Sequence, residues 1–219
     1  MLETIKNNDK ILALAQNPML LSLIVLVQFL RRLIPDKRYL LYEECIKILL
    51  ERRYADPGIQ KRYNDFLPED EATIILRKIA LKMQEIKVRD VPIDEFEERI
   101  IPEILSIMKA SVAASRNPKE ILQHIEERSY LLIHRGYDNA YRKIYAFSHF
   151  TFQEYLAASE LISLREDKGP EFINDHLLKF FDEDPPWWEE VCLLYGAQLP
   201  KHKSLEFLNL IKSNLSLKC

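Results

Sequence analysis

The chain has 219 residues, a formal net charge of -3, 47% hydrophobic and 30% charged residues, and only 4 glycines. That is ordinary material for one large soluble domain or two small ones. It argues against a glycine-rich nucleotide loop, against an all-β fold with many tight turns, and against a global field that attracts nucleic acid or acidic membranes.

Residues 3–16 are expected to form a helix with Ile5, Leu12 and Ala15 inward. Asn17-Pro18 restarts the chain, with Asn17 as N-cap and Pro18 in the first helical turn. The stretch from Pro18 to about Leu33 reads as a core helix buried on almost all sides. Its apolar run, Met19 to Leu30, is interrupted by Ser22 and Gln28 and is shorter than the roughly 20 apolar residues of a membrane span. Ile34-Pro35-Asp36 breaks it. Asp36 is the expected cap of a helix over about 37–54, with Tyr39, Tyr42, Ile46, Leu49 and Leu50 on one face. Asp56-Pro57-Gly58 is a stop signal. Residues 57–67 are polar with scattered tyrosines and read as a linker.

Beyond Pro68, the spacing of Ala72, Ile75, Leu76, Ile79, Met83 and Ile86 predicts one face of a long helix. Pro92 and Asp94 begin another helix toward Ile100, which Ile101-Pro102 breaks. Asn117-Pro118 opens a helix through about Glu127 with the same Asn-cap and Pro-start chemistry. The period then changes: residues 130–136 and 141–147 are β-like, and Gly136 to Ala140 between them has turn chemistry. Ser148 is the expected cap of the next helix, with Phe152, Tyr155, Leu156, Ser159 and Ile162 inward. Short helices over about 170–180, 187–198 and 201–214 complete the chain, the first two separated by Asp184-Pro185-Pro186.

Helices followed by a β-hairpin are the plan of a winged helix. The fold class is mainly α: a small helical domain at 1–56, a linker at 57–67, a winged-helix domain with one β-hairpin at 68–166, and a C-terminal helical region at 167–219. The N-terminus has no basic segment followed by an apolar stretch and a cleavage site, so no signal peptide is read there. Cys45, Cys192 and Cys219 are far apart with no CxxC, which leaves neither a disulfide framework nor a zinc site and fits reduced thiols in a cytoplasmic protein.

The segment from Phe147 to Ala158 follows the pattern F-x-H-x-[TS]-F-Q-E-[YF]-L/F-A-A. It resembles the histidine motif of NACHT-family signalling NTPases, which belong to the STAND class. Three further segments resemble pieces of the same family in the same order: Leu14-Ala15-Gln16-Asn17-Pro18 through Ile24, Ile34-Pro35 through Glu43, and Pro186-Trp187-Trp188-Glu189-Glu190-Val191. The resemblance implies that Pro18 leans against the adenine of a bound ADP and that His149 touches its phosphates. Read on position alone, Pro18 is a helix-start proline and His149 a core or capping side chain. The resemblance also implies a P-loop nucleotide-binding domain as partner, in cis or in trans, ADP or ATP with Mg²⁺ as cofactors of the parent protein, and homo-oligomerisation on activation. This chain has no G-x-x-x-x-G-K-[ST], so hydrolysis is assigned to none of its residues and no cofactor is expected on the chain alone.

Other chemistry finds little support. His124 and His134 are ten residues apart, and no HExxH or His/Cys cluster suggests a metal. No G-x-S-x-G elbow accompanies Ser148-His149. A winged helix that binds DNA remains an alternative, as does a free-standing helical adaptor. The helix before the wing carries Lys119 but also Glu120, Glu126 and Glu127, a poor match to phosphate. The basic pairs Arg31-Arg32, Lys37-Arg38, Arg52-Arg53 and Lys61-Arg62 lie outside the winged unit, while the wing itself carries Arg135, Arg142 and Lys143. Trp187-Trp188 is either core or an interface.

Overall fold

The computed structural model describes residues 9–51, 61 and 65–216. Ile5, Cys219, the stop at Asp56-Pro57-Gly58 and most of the expected linker lie outside these residues. Helix α1 (Asp9–Ala15) seats on α2 (Pro18–Arg31). Ile11 is its buried residue, with Leu14 and Ala15 packed beside it, whereas Leu12, expected inward, is exposed. The spacing of 11, 14 and 15 is one helical stripe, and Leu12 is turned a third of a revolution off it.

Helix α2 begins as its sequence spells: Asn17 Oδ1 accepts from the Met19 and Leu20 N–H groups at 2.9 and 3.2 Å. Its burial is a correction. Leu20, Ile24 and Val27 are buried against the core, but Leu21, Val25 and Phe29 are exposed, Phe29 at 68%. Apolar residues form two stripes on this helix, and α3 (Arg38–Glu51) covers only one of them. On α3 itself, Tyr42, Ile46 and Leu50 are buried, with Tyr39 and Leu49 partly buried beside them.

In α4 (Glu69–Glu85), Ala72, Ile75, Leu76, Ile79 and Met83 are all buried, as the spacing predicts. Pro92 stands at the N-cap of the expected helix, which begins at Ile93, but it also closes a short strand that the sequence did not suggest, β1 (Val91–Pro92). One helical turn (Ile93–Glu95), a π-helical stretch (Phe96–Ile100) and α5 (Ile101–Ile107) then run on without the expected break. A proline inside a helix lacks an N–H and clashes with the carbonyl four residues back. The widened π-helical turn, in which the Ile101 N–H bonds Phe96 O, lets the helix continue past Pro102.

Helix α6 (Pro118–Ser129) is capped by Asn117, whose Oδ1 accepts from the Lys119 N–H at 2.9 Å. Strands β2 (Leu132–Tyr137) and β3 (Lys143–Phe147) form the expected antiparallel wing, and β1 joins them to give a three-stranded sheet in the order β1-β3-β2. His134 pairs with Tyr145 and Gly136 with Ile144, so Arg135 is the extra residue of a β-bulge. Gly136 follows it at φ 139°, a backbone angle that suits glycine.

Ser148 does not cap α7 (Phe150–Lys168). Its N–H bonds Leu131 O at 2.8 Å, tying it to the sheet, and His149 occupies the N-cap position with no side-chain cap bond. Every residue of α7 from Phe152 to Leu161 is buried. The helix lies against α4 along its length and also meets α9 (Pro185–Gln198). Helices α8 (Pro170–Glu183) and α10 (Lys201–Ser216) complete the C-terminal group. Trp188 is fully buried and stacks on Phe180 with ring centroids 4.6 Å apart. One connected core runs from Ile11 to Phe207. No described helix is long and apolar enough to cross a membrane.

Candidate functional site

The turn that carries Pro18 and the turn that carries His149 are linked at the start of α7 through Met19 and Thr151. Pro18 is exposed at the first turn of α2, and His149 is exposed at the N-cap of α7. Between them stands Thr151. Its hydroxyl donates to Met19 Sδ at 3.7 Å and lies 3.3 Å from His149 Nδ1. The helix start at residue 18 and the histidine 131 positions later are thus joined through two side chains.

A cavity of about 240 Å³ opens beside His149, lined by Arg89, Arg135, Phe147, Ser148, Phe150 and Gln153. Its floor is rigid. Gln153, almost fully buried, donates to Val88 O and Gln84 Oε1, both at 3.1 Å. Gln84 in turn donates to Trp187 O at 2.8 Å, and the Trp187 indole N–H returns a bond to Gln84 O at 2.9 Å. This closed network fixes the turn after α4 against α7 and α9. The cavity therefore sits at the uncapped N-terminus of a 19-residue helix, where free N–H groups and the helix dipole favour an anion.

Next to it is a charged cluster that sequence reasoning did not identify as a site. Arg38 on α3 pairs with Glu190 on α9 at 2.5 Å. Glu154, buried on α7, has its carboxyl pushed up to about 7 by burial first and by Glu190 second, against the opposing pull of Arg89 and Arg38. Glu190 is also raised, chiefly by burial. The signal for this cluster was present in the sequence. Met19, Arg38, Glu154 and Glu190 each belong to a different one of the four family-like segments, and folding brings all four segments together.

Elsewhere the sequence readings of metal and nucleophile candidates gain no partner set. Among the described residues no group of three His, Cys, Asp or Glu is placed to hold a metal ion. His124 is buried beside the Phe66 ring at 4.9 Å, and burial together with Arg128 lowers its imidazole to about 4. Cys45 and Cys192 are buried free thiols, pushed up to about 12 mainly by burial. The helix before the wing, α6, exposes Lys119, Glu120 and Gln123. Between it and the sheet lies a cavity of about 580 Å³ lined by Glu97, Glu126, Glu127, His134, Lys143 and Tyr145 among others. Tyr145 donates to Glu126 there at 2.8 Å.

No curated protein matches the chain. Residues 38–161 match a family described as the winged helix-turn-helix domain C-terminal to NACHT, and the match spans from Arg38 through the wing to Leu161 in α7. That family is defined by its place after a nucleotide-binding domain; it is the winged helix and not the catalytic P-loop domain. With more than half of its length matched, and with helices, sheet and wing arranged accordingly, the chain belongs to the winged helix-turn-helix domains that lie C-terminal to NACHT.

Proposed function

We propose that this chain is the regulatory arm of a NACHT NTPase and reads the state of a nucleotide held by the adjoining P-loop domain. In the ADP state, Pro18 faces the adenine and His149 the phosphates, and the arm is clamped onto the nucleotide-binding domain. Exchange for ATP, with its Mg²⁺, releases the clamp and frees surfaces for homo-oligomerisation. The observation that supports this reading is the bridge from Met19 through Thr151 to His149, because it links the helix start that carries Pro18 to the helix start that carries His149. A clamp of this kind requires two contacts that a single ligand can span.

The exposed face of α2 supports the same reading. Pro18, Leu21, Val25 and Phe29 are spaced at three, four and four residues, one stripe that starts at the adenine-side proline. A second domain seated on that stripe would place its nucleotide between Pro18 and His149. The units at 1–56 and 68–166 then act together as one arm, since their buried side chains share a core. Helix α6 sets Glu120 and the half-buried Glu126 and Glu127 against Lys119, with Arg128 buried, which favours this protein-facing role over DNA recognition.

The energetic demand is modest. A two-state shift needs differential affinity of a few kcal/mol, and a hydrogen bond from His149 to a charged phosphate supplies about 1.5–3 kcal/mol. His149→Ala in the protein that includes the P-loop domain is expected to speed ADP release and raise basal signalling. ADP retention equal to wild type would sink the clamp.

A further inference from the structure

We propose that Arg89, assisted by Arg135, completes a cradle for a pyrophosphate group around His149, so that the arm grips the diphosphate of the nucleotide rather than touching one oxygen. This rests on the reading of His149 given above and extends it to residues outside the four family-like segments.

Arg89 is built for the task. Its guanidinium carbon lies 3.9 Å above the Phe150 ring centroid and 5.6 Å from that of Trp187, and those two rings are 5.1 Å apart. Stacking on an aromatic face fixes the plane of a guanidinium and leaves its in-plane N–H fork free. Among the described residues, no carboxylate lies within 4 Å of Arg89, although most arginines near a carboxylate-rich surface find one. Its backbone is anchored as well: the preceding Val88 carbonyl takes the bond from buried Gln153, and Lys87, two residues before Arg89, adopts φ 57° to turn the chain. Rotamer and loop entropy are therefore largely spent before any ligand arrives.

Arg135 approaches from the wing. As the extra residue of the β-bulge, it is released from the in-and-out alternation of the strand, which is how bulges re-aim a side chain. It is 54% exposed and only loosely associated with Asp90, at 3.8 Å. Two carboxylates border the cradle, Asp90 beside Arg135 and Glu154 within the field of Arg89, and neither closes on the Arg89 fork. His149 and the uncapped start of α7 form the third side. The space of about 240 Å³ is roughly eight times the ~30 Å³ share of one liquid water, ample for two linked phosphates. Planar N–H forks bind phosphate in a bidentate manner, which an ammonium does not reproduce.

The test is calorimetric titration of the whole chain with inorganic pyrophosphate. Variants are Arg89→Gln, Arg89→Lys, Arg135→Gln and His149→Ala, with Lys119→Gln on α6 as a charge control. Saturable one-to-one binding is expected. Arg89→Gln should weaken it about tenfold or more, Arg89→Lys nearly as much because the fork is lost, and Arg135→Gln by about threefold, the range of charge-assisted contacts. Lys119→Gln should leave it unchanged. Arg135 is exposed, so its variant keeps the test valid even where Arg89→Gln disturbs the aromatic stack. The proposal is overturned by absence of saturable binding, by Arg89 variants that bind as wild type, or by a Lys119→Gln loss equal to theirs. Weakening by His149→Ala with none from Arg89 overturns the cradle alone. Weakening by Arg89 variants with none from His149→Ala supports the Arg89 site and overturns the phosphate role of His149.

Discussion

Arg38 Nη2 lies 2.5 Å from Glu190 Oε1, and this one contact ties helix α3 to helix α9 across the start of α7. Both carboxyls near it, Glu190 and Glu154, are raised by burial, and Arg38 is among the groups that hold them down. Arg38→Ala removes the guanidinium paired with Glu190 and leaves Arg89 alone to offset the repulsion between Glu154 and Glu190. The side chains are partly exposed, so solvent screening trims the cost to about 1–2 kcal/mol at pH 8. At pH 5 Glu154 is protonated, its repulsion with Glu190 is gone, and the loss shrinks. Chemical denaturation of wild type and variant at the two pH values measures it; equal losses at both would remove the electrostatic account.

Glu154 carries a pH dependence of its own. Its carboxyl sits at about 7 in the folded chain, against 4.5 for an ordinary glutamate. Below 4.5 the group is neutral in both folded and unfolded states and its stabilising contribution is fully present. That contribution is lost as pH rises through about 7, because only the unfolded chain ionises freely. Glu154→Gln should flatten the decline between these limits and raise the melting temperature at pH 8. The expected gain, discounted for screening, is about 1–2 kcal/mol. A variant whose melting curve tracks wild type across pH 5 to 8 would contradict this.

Arg128 is a buried strut. Only 4% exposed, it donates from Nε to Leu50 O at 3.3 Å and from Nη1 to Leu67 O at 2.8 Å, with Glu69 at 3.7 Å. It thereby joins the end of α3 to the start of α4 through α6. Arg128→Met keeps much of the bulk but strands two carbonyls, at a cost of about 2–4 kcal/mol. Arg128→Lys, with a single donor group, should recover part of that. Urea midpoints of the three proteins rank them.

Gly136 tests the bulge. A Cβ built there meets nothing within 4 Å, so Gly136→Ala has no steric clash to relieve, yet φ is +139°. The penalty is purely that of the backbone, about 1–2 kcal/mol. An alanine variant as stable as wild type would mean that the bulge relaxes to another register.

The parts of this fold legible in sequence are those decided within a few residues. Asn17-Pro18 and Asn117-Pro118 announce two helix starts because a cap needs only its own turn. The α4 face from Ala72 to Met83 is legible because a helix this amphipathic has one way to lie. Strand β1 was not, since two residues pair with β3 from more than fifty positions away and Pro92 reads locally as a helix start. The same holds for Ser148, whose N–H is claimed by Leu131 in the sheet rather than by the helix it precedes. In the candidate site, Pro18 and His149 were found by motif, whereas Arg89 and Arg135 were not. Their environment is a ring stack and a bulge, and neither leaves a trace in residue spacing.

Helix α2 was read as core because apolar composition reports that a surface wants covering, without saying what covers it. Its outer stripe, ending in Phe29 at 68% exposure, has a consequence for the life of the molecule in a cell. Chaperones and proteases survey for exposed apolar runs, and on this stripe a finished fold displays the mark of an unfinished one. Any partner that buries this stripe in the folded chain alone adds to its stability by mass action, so the melting temperature becomes a readout of whether the edge is covered.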